Sequence, residues 1–290
     1  MHKSAQEIIY NVPIFNNIKR IDKINGGITN QNFMVKNHDN QNYFVRICKD
    51  IPEHLISREN EINSSTAAYK IGVSPKIIYT NDKLIIFEFI EGKTLGEKDV
   101  KDNLIEIISL LKKVHKNIPK KIEGKSQIFW VFHVIRHYQN FLNKNNSKYK
   151  KILNDLIVQA EKIEKYSSPY DIVYGHNDLL AANFIKKNRR IYLVDWEYAG
   201  YNTPLFDLGG ISSNNSFSEK EEILMLENYF DKKISNSLLS KYYCLKTASL
   251  LRETMWSMVA ELISTINFNY ENYTGQNLED FRKAFQKLNI

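Results

Sequence analysis

The spacing of hydrophobic and polar positions changes character near residue 90. Before that point, short runs of aromatic and β-branched residues alternate with turn residues, a pattern typical of β-strands. The predicted strands are Asn32 to Lys36, Tyr43 to Ile47 and Leu84 to Phe89. Between the second and third strands, Ser57 to Ile71 contains good helix formers and is followed by Gly72. This part of the chain therefore predicts an antiparallel hairpin, a further strand and one helix.

Beyond Gly92 the hydrophobic positions recur mostly with helical spacing. The predicted helices are Leu104 to His115, Phe129 to Leu142, Ile152 to Ile163 and Leu245 to Phe268, and two short strands lie near residues 184 and 193. We predict an α+β, two-lobed protein, with a small antiparallel sheet lobe over residues 1–91 and a larger, mostly helical lobe over residues 92–290. A cleft between two such lobes is a natural place for a binding site.

Composition narrows the classes of partner. The net charge of +7 over 290 residues is spread from end to end, and the densest basic cluster lies between the two short predicted strands, where a solvated turn explains it better than a nucleic-acid patch. Cys48 and Cys244 form no CxxC or Cys/His pattern, which argues against a disulfide framework and a zinc site. Because the chain has neither a bilayer-length apolar run nor a secretory start, we expect a cytoplasmic protein without integral membrane contact.

The most informative chemistry lies between Tyr174 and Tyr198. Asp178 and Asn183 stand five residues apart in a predicted loop, and Asp195 follows an apolar run. Each residue alone would be explained as a turn or strand end, but together they can bring three oxygen-bearing side chains to one site. Magnesium prefers such hard oxygen ligands, and phosphoryl transfer needs a separate carboxylate to receive the acceptor's proton. We interpret Asp178 as the base and Asn183 with Asp195 as magnesium ligands.

This segment also carries a family resemblance. The pattern HxDxxxxN from His176 to Asn183, followed by hhhDxE ending at Glu197, resembles the loop shared by aminoglycoside phosphotransferases and choline/ethanolamine kinases. The resemblance runs nearly the whole length of the chain. It implies a protein-kinase-like fold and ATP as phosphate donor.

Near the start, Asn25 to Phe33 resembles the GGxTNxN phosphate loop of choline kinases, which implies that Gly27, Thr29 and Asn30 contact the nucleotide phosphates. Glycine allows backbone amides to approach phosphate oxygens closely.

Arg46, on the next predicted strand, stands where related kinases place the lysine that reaches the α- and β-phosphates, and choline kinases similarly use arginine there. Its expected partner is Glu61 on the following helix, although Glu59 is close enough to be the alternative. The run Ile85 to Gly92 resembles the family's hinge, which implies adenine pairing by the backbone of Glu88, Phe89 and Ile90. Asp207 matches a position expected to brace the catalytic loop.

The acceptor site is expected on the last predicted helix. Counting 100° per residue places Leu251, Met255, Met258 and Leu262 on one face and Glu253, Trp256 and Ala260 on nearly the opposite face. A ring and a carboxylate side by side can hold an ammonium group. Trp256 could equally be packing, but Ala248 to Tyr273 resembles the carboxy-terminal choline kinase motif. The DWEY resemblance adds Glu197 and Tyr198 as candidates.

The resulting prediction is an ATP-dependent choline kinase that uses Mg²⁺ and forms phosphocholine. Glu253 departs from the aromatic residue that animal choline kinases carry there, so ethanolamine remains an alternative acceptor. Aminoglycoside or thiamine kinases of the same fold are further alternatives. A non-enzymatic, degenerate kinase fold that binds anionic membranes or RNA is disfavoured, because Asp178, Asn183 and Asp195 are all present.

Overall fold

In the computed structural model, which describes residues 4–15, 17–24, 29–167 and 171–290, the amino-terminal part is a five-stranded antiparallel sheet with two helices. Its elements are α1 (Ala5–Tyr10), β1 (Ile18–Ile24), β2 (Gln31–Asn37), β3 (Asn42–Ile47), α2 (Arg58–Lys70), β4 (Ile77–Thr80) and β5 (Leu84–Glu88). The strand order is β1-β2-β3-β5-β4. The three predicted strands and the predicted helix are confirmed. The edge strands β1 and β4 were missed, because β1 is half polar and β4 is four residues long.

The remainder is mainly helical and carries two small sheets. Its helices are α3 (Glu97–Asp102), α4 (Leu104–Asn117), α5 (Val131–Lys144), α6 (Lys150–Tyr166), α7 (Pro204–Asn214), α8 (Glu219–Phe230), α9 (Asn236–Ile263) and α10 (Tyr270–Gln286). Its strands are β6 (Lys93–Thr94), β7 (Val173–Gly175), β8 (Phe184–Lys187), β9 (Arg190–Leu193) and β10 (Gly200–Asn202). The predicted α+β fold with a sheet lobe and a helical lobe is confirmed. None of the helices within the described ranges is long and apolar enough to cross a bilayer.

The hinge between the two parts is held by a close backbone approach. β6, just after the hinge, pairs with β8 of the helical part. A Cβ at Gly92 would lie 2.8 Å from the Lys186 carbonyl oxygen, so any larger residue at this position would require the backbone to shift. The lobe division at residue 91 stays a prediction, because Ala67, Ala68 and Val73, which precede the hinge, belong to the core of the helical part.

Helix α9 forms the centre of the helical part. Ser235 caps its start, where the serine hydroxyl accepts a hydrogen bond from the Leu238 amide at 3.3 Å. Leu251, Met255 and Met258 are fully buried, as predicted for the core face. Two other parts of the prediction were wrong: the helix ends at Ile263 rather than Phe268, because Ser264 adopts an extended backbone, and Leu262, in the last turn, is 44% exposed.

Candidate active site

The catalytic loop lies between β7 and β8 and is fixed by Asp207 at the start of α7. The Asp207 carboxylate accepts hydrogen bonds from the backbone amides of His176 at 2.8 Å and Asn177 at 2.7 Å, and it contacts His115 Nε2 at 2.9 Å. Asn177 has a φ of +66°, a left-handed conformation that is uncommon for non-glycine residues and often found at functional sites. Asp207 therefore braces the loop, as the sequence predicted, and sets the backbone just before Asp178.

The three predicted catalytic side chains lie around one cavity of about 270 Å³. The Asn183 side-chain amide donates to the Asp178 carbonyl at 2.8 Å, and the Asn183 carbonyl accepts from the Val194 amide at 3.0 Å. These bonds use the Asn183 amide nitrogen and leave its side-chain oxygen as a possible metal ligand. They also join the loop of Asp178 to the strand end that carries Asp195, so residues distant in sequence share one site.

Arg46 links the sheet to this cavity. One guanidinium nitrogen, Nη1, donates to Glu61 Oε1 at 2.7 Å and to Asp195 Oδ1 at 2.6 Å. Of the two glutamates considered from sequence, Glu61 is the partner, and it is fully buried whereas Glu59 is exposed. Burial alone would raise the pKa of Asp195, but the Arg46 charge and hydrogen bond outweigh it and hold that pKa below its usual value. Asp195 is thus an anion at neutral pH.

Arg58, at the start of α2, was not identified from the sequence. Its guanidinium contacts Glu61, donates to Glu197 Oε2 at 3.0 Å and donates to Asn30 Oδ1 at 3.0 Å. Asn30 in turn donates to the same Glu197 oxygen at 3.0 Å. Arg58 therefore joins the predicted phosphate loop to the segment after Asp195. The sequence offered one signal for it, since Arg58 and Glu61 are three residues apart and share a helix face.

The remaining candidates for nucleotide binding lie in the predicted phosphate loop and at the hinge. Thr29 and Asn30 line the cavity, whereas Gly27 lies outside the described residues. An adjoining cavity of about 300 Å³ is mostly apolar and is lined by Phe44, Phe87 and the hinge residues, including Glu88, Phe89 and Ile90. The Glu88 amide already donates to the Lys76 carbonyl at 2.9 Å, so this amide is not free to bind the predicted adenine.

The predicted acceptor-binding residues Tyr198, Glu253 and Trp256, together with the adjoining Arg252, are here called the acceptor wall. Tyr198, Glu253 and Trp256 all line the cavity that contains Asp178. The Trp256 indole donates to the Tyr198 hydroxyl at 2.8 Å, and its ring stacks on His54 with centroids 5.2 Å apart. Glu197 also lines the cavity, but its carboxylate is engaged by Arg58 and Asn30.

Arg252 is a second residue that sequence reasoning missed. Its side chain is 4% exposed, and its Nη1 lies 2.9 Å from Glu253 Oε2 and 3.6 Å from Asp178 Oδ1. Its position four residues before Trp256 places it on the same helix face, which is the signal that could have identified it. Burial raises the pKa of Asp178 to about 8, with the Arg252 charge opposing the shift and the charges of Glu253, Asp195 and Glu197 adding to it.

Comparisons with known proteins identify the family of this chain. Residues 21–282 match the family model described as choline/ethanolamine kinase. The chain belongs to the choline/ethanolamine kinase family. It is therefore an ATP-dependent phosphotransferase that acts on an alcohol group, and the prediction of an enzyme is confirmed.

Individual relatives carry both acceptor names. A probable ethanolamine kinase of Arabidopsis thaliana is 26% identical over 300 residues, covering 91% of this chain and 79% of the relative. The solved choline kinase LicA of Streptococcus pneumoniae superposes with a TM-score of 0.78 at 23% identity, covering 98% of this chain and 99% of that one. A choline/ethanolamine kinase family protein of Mesorhizobium loti gives 0.80 at 21% identity, with 98% and 94% covered. These two superpositions show the protein-kinase-like fold.

Proposed function

We propose that this kinase transfers the γ-phosphate of ATP to the hydroxyl of a small amino alcohol, the predicted acceptor being choline and the alternative ethanolamine. The observation that carries the proposal is the single cavity in which Asp178, Asn183 and Asp195 face Tyr198 and Trp256. One wall offers the groups that phosphoryl transfer needs, and the other offers aromatic rings that suit an ammonium group. A cytoplasmic location, where ATP is available, belongs to the same proposal.

The residues divide the chemistry as follows. Asp178 orients the acceptor hydroxyl and takes its proton as the oxygen attacks the γ-phosphorus, while the bond from that phosphorus to the β–γ bridging oxygen breaks. Arg46 contacts the α- and β-phosphates and is held in place by Glu61. Thr29 and Asn30, with Gly27, hold the phosphates from the loop side.

The donor set also fits magnesium. Asp195 offers a carboxylate kept ionised by Arg46, and Asn183 offers an amide oxygen. Among the described residues no group of three or more His, Cys, Asp or Glu side chains forms a metal cluster. That agrees with a Mg²⁺ ion that one or two protein oxygens hold together with the ATP phosphates. When bound, the ion neutralises charge on the phosphate oxygens during transfer.

The test is a phosphotransfer assay with Mg²⁺ and ATP in which choline, ethanolamine, thiamine and kanamycin are offered separately. We expect turnover with choline or ethanolamine, and a loss of at least about 10³-fold in Asp178→Ala, because the acceptor hydroxyl loses its base. Asp155→Ala removes an exposed carboxylate on α6 and is the matched control. Turnover confined to thiamine or kanamycin, or full activity in Asp178→Ala, would contradict the proposal.

A further inference from the structure

The acceptor wall already contains a cation of the protein. The guanidinium carbon of Arg252 lies over the Tyr198 ring, 4.3 Å from its centroid, and 5.8 Å from the centroid of Phe129. This is the geometry of a cation–π contact. One face of the Tyr198 ring, a candidate from the sequence for binding the acceptor's ammonium, is therefore in contact with Arg252.

The carboxylate of Glu253 on the acceptor wall is also paired with groups of the protein. Glu253 Oε2 accepts from Arg252 Nη1 at 2.9 Å, and Glu253 Oε1 accepts from the Tyr273 hydroxyl at 2.8 Å. Each carboxylate oxygen retains a second lone pair for a further hydrogen bond. The wall can therefore still receive an N–H donor, although its negative charge is largely matched by Arg252.

Trp256 is similarly engaged. One side of its ring stacks on the His54 imidazole at an interplanar angle of 24°, and its indole N–H is used by Tyr198. Burial lowers the pKa of His54 to about 3, with the charges of Arg252 and His137 adding to the shift, so the stacked imidazole is neutral. Both aromatic rings predicted to surround the ammonium thus have protein groups against them.

A trimethylammonium head has no N–H group and depends on aromatic faces, whereas a primary ammonium donates up to three hydrogen bonds to oxygen acceptors. Repulsion from the Arg252 charge is common to both head groups. Because Arg252 covers one face of Tyr198, either head group has less aromatic surface to bind. Hydrogen bonds to Glu253 can compensate for this in the primary ammonium alone. The acceptor wall is therefore expected to bind the primary ammonium more favourably than the trimethylammonium.

We infer that Arg252 is a specificity-determining residue that directs this kinase toward the less methylated amino alcohol, ethanolamine rather than choline, by occupying the face of Tyr198. The inference rests on the proposed function and narrows its acceptor. Arg252 lies within the carboxy-terminal segment Ala248 to Tyr273, but the resemblance of that segment gave it no role.

The test uses a series in which one property changes: ethanolamine, N-methylethanolamine, N,N-dimethylethanolamine and choline, each with saturating Mg²⁺ and ATP. For the wild type we expect kcat/KM to fall with each methyl group, by at least about tenfold over the series. Arg252→Gln removes the charge but keeps a side chain able to donate to Glu253. It is expected to move the choline-to-ethanolamine ratio toward choline by at least about tenfold, mainly through the choline KM.

Two further variants separate specificity from structural damage. Arg252→Lys keeps a cation at the wall and should retain the wild-type order, and Arg189→Gln, at an exposed arginine, should leave the ratio unchanged. The ratio is informative even if all rates fall, because any effect of Arg252 on Asp178 is common to the four acceptors. The series measured on the wild type decides the preference even if Arg252→Gln does not fold.

The outcomes are distinguishable. A wild type that uses choline as well as ethanolamine, or a folded Arg252→Gln with an unchanged ratio, would overturn the role of Arg252 and leave the proposed function intact. Absence of turnover with all four acceptors in the wild type would overturn the proposed function and this inference together.

Discussion

The two walls of the cavity differ in how their buried charges are matched. The side of the cavity that carries the predicted nucleotide-binding residues, here called the nucleotide wall, contains Arg46 and Arg58. Their guanidinium groups contact three carboxylates, those of Glu61, Asp195 and Glu197. On the acceptor wall, Arg252 lies 2.9 Å from Glu253 and 3.6 Å from Asp178. Its Nε and Nη2 make no hydrogen bond of ordinary geometry among the described residues, as is also true of Arg46 Nε on the nucleotide wall.

This difference indicates which part of the site has its side chains in place before a ligand binds. Buried charges are tolerated when paired, and a network of pairs fixes side-chain positions before any ligand arrives. The nucleotide wall has such a network, and its predicted role is the step that all kinases of this type share. The acceptor wall is matched less completely, and it is the wall that must distinguish one alcohol from another.

The largest effect should come from removing the carboxylate of Asp195, which Arg46 contacts on the nucleotide wall. Asp195→Asn would take away the carboxylate that we propose as a magnesium ligand and leave Arg46 with one carboxylate partner instead of two. We expect kcat to fall by at least about 10³-fold, measured by phosphotransfer over a range of Mg²⁺ concentrations. Asp82→Asn, at an exposed turn aspartate, is the control. A variant that keeps more than a tenth of wild-type kcat at saturating Mg²⁺ would remove Asp195 from the metal site.

A smaller effect is expected from weakening the nucleotide network alone. Glu61→Gln is nearly isosteric but leaves Arg46 and Arg58 without their shared counter-charge. We expect kcat/KM for ATP to fall by about 10–100-fold. We expect the free energy of unfolding to fall by about 3 kcal/mol, because removing one partner of a buried ion pair leaves the other charge buried without its counter-charge. The neighbouring Glu59→Gln, at an exposed carboxylate on the same helix, supplies the matched comparison. Equal losses in the two variants would show that the network does not organise the nucleotide wall.

The smallest effect concerns how stability depends on pH, and it tests the protonation state of Asp178. Because the folded-state pKa of Asp178 is raised to about 8, the folded protein holds a proton that the unfolded chain releases above about pH 4, so stability is lost as pH rises between these values. Asp178→Asn cannot ionise. Without Mg²⁺ or ATP, we expect it to melt about 2–6 °C above the wild type at pH 8, and the gap to shrink toward pH 5.

Thermal melts at several pH values would measure that gap, with Asp155→Asn as an exposed control. A gap that stays constant, or that widens toward low pH, would mean that Asp178 is ionised in the folded protein throughout this range.

Parts of this site could be predicted from short stretches of sequence. The spacing of Asp178, Asn183 and Asp195 predicted three side chains that the structure brings to one cavity. The sequence could predict this because all three residues lie within one loop, the β8–β9 hairpin and the residues just after β9. The buried face of α9 was readable for a similar reason, since helical periodicity is a local property.

Other features depended on contacts between distant segments. Arg58 reaches Glu197, 139 residues away, and Asn30 reaches the same glutamate from 167 residues away. Likewise, His54 meets Trp256 because a short helical turn after β3 packs against α9. No local pattern encodes these pairs, because their distances depend on how the sheet and the helices pack.

By itself, the sequence determined the family, the α+β class and the groups that phosphoryl transfer requires, because those depend on short motifs and regular periodicities. Tertiary structure decided that Glu61 rather than Glu59 pairs with Arg46, that Glu197 serves the nucleotide wall and that Arg252 contacts Tyr198. The physical reason is that a buried charge takes the counter-charge or aromatic face that packing brings within a few ångströms, and that neighbour is set by the fold rather than by adjacency along the chain.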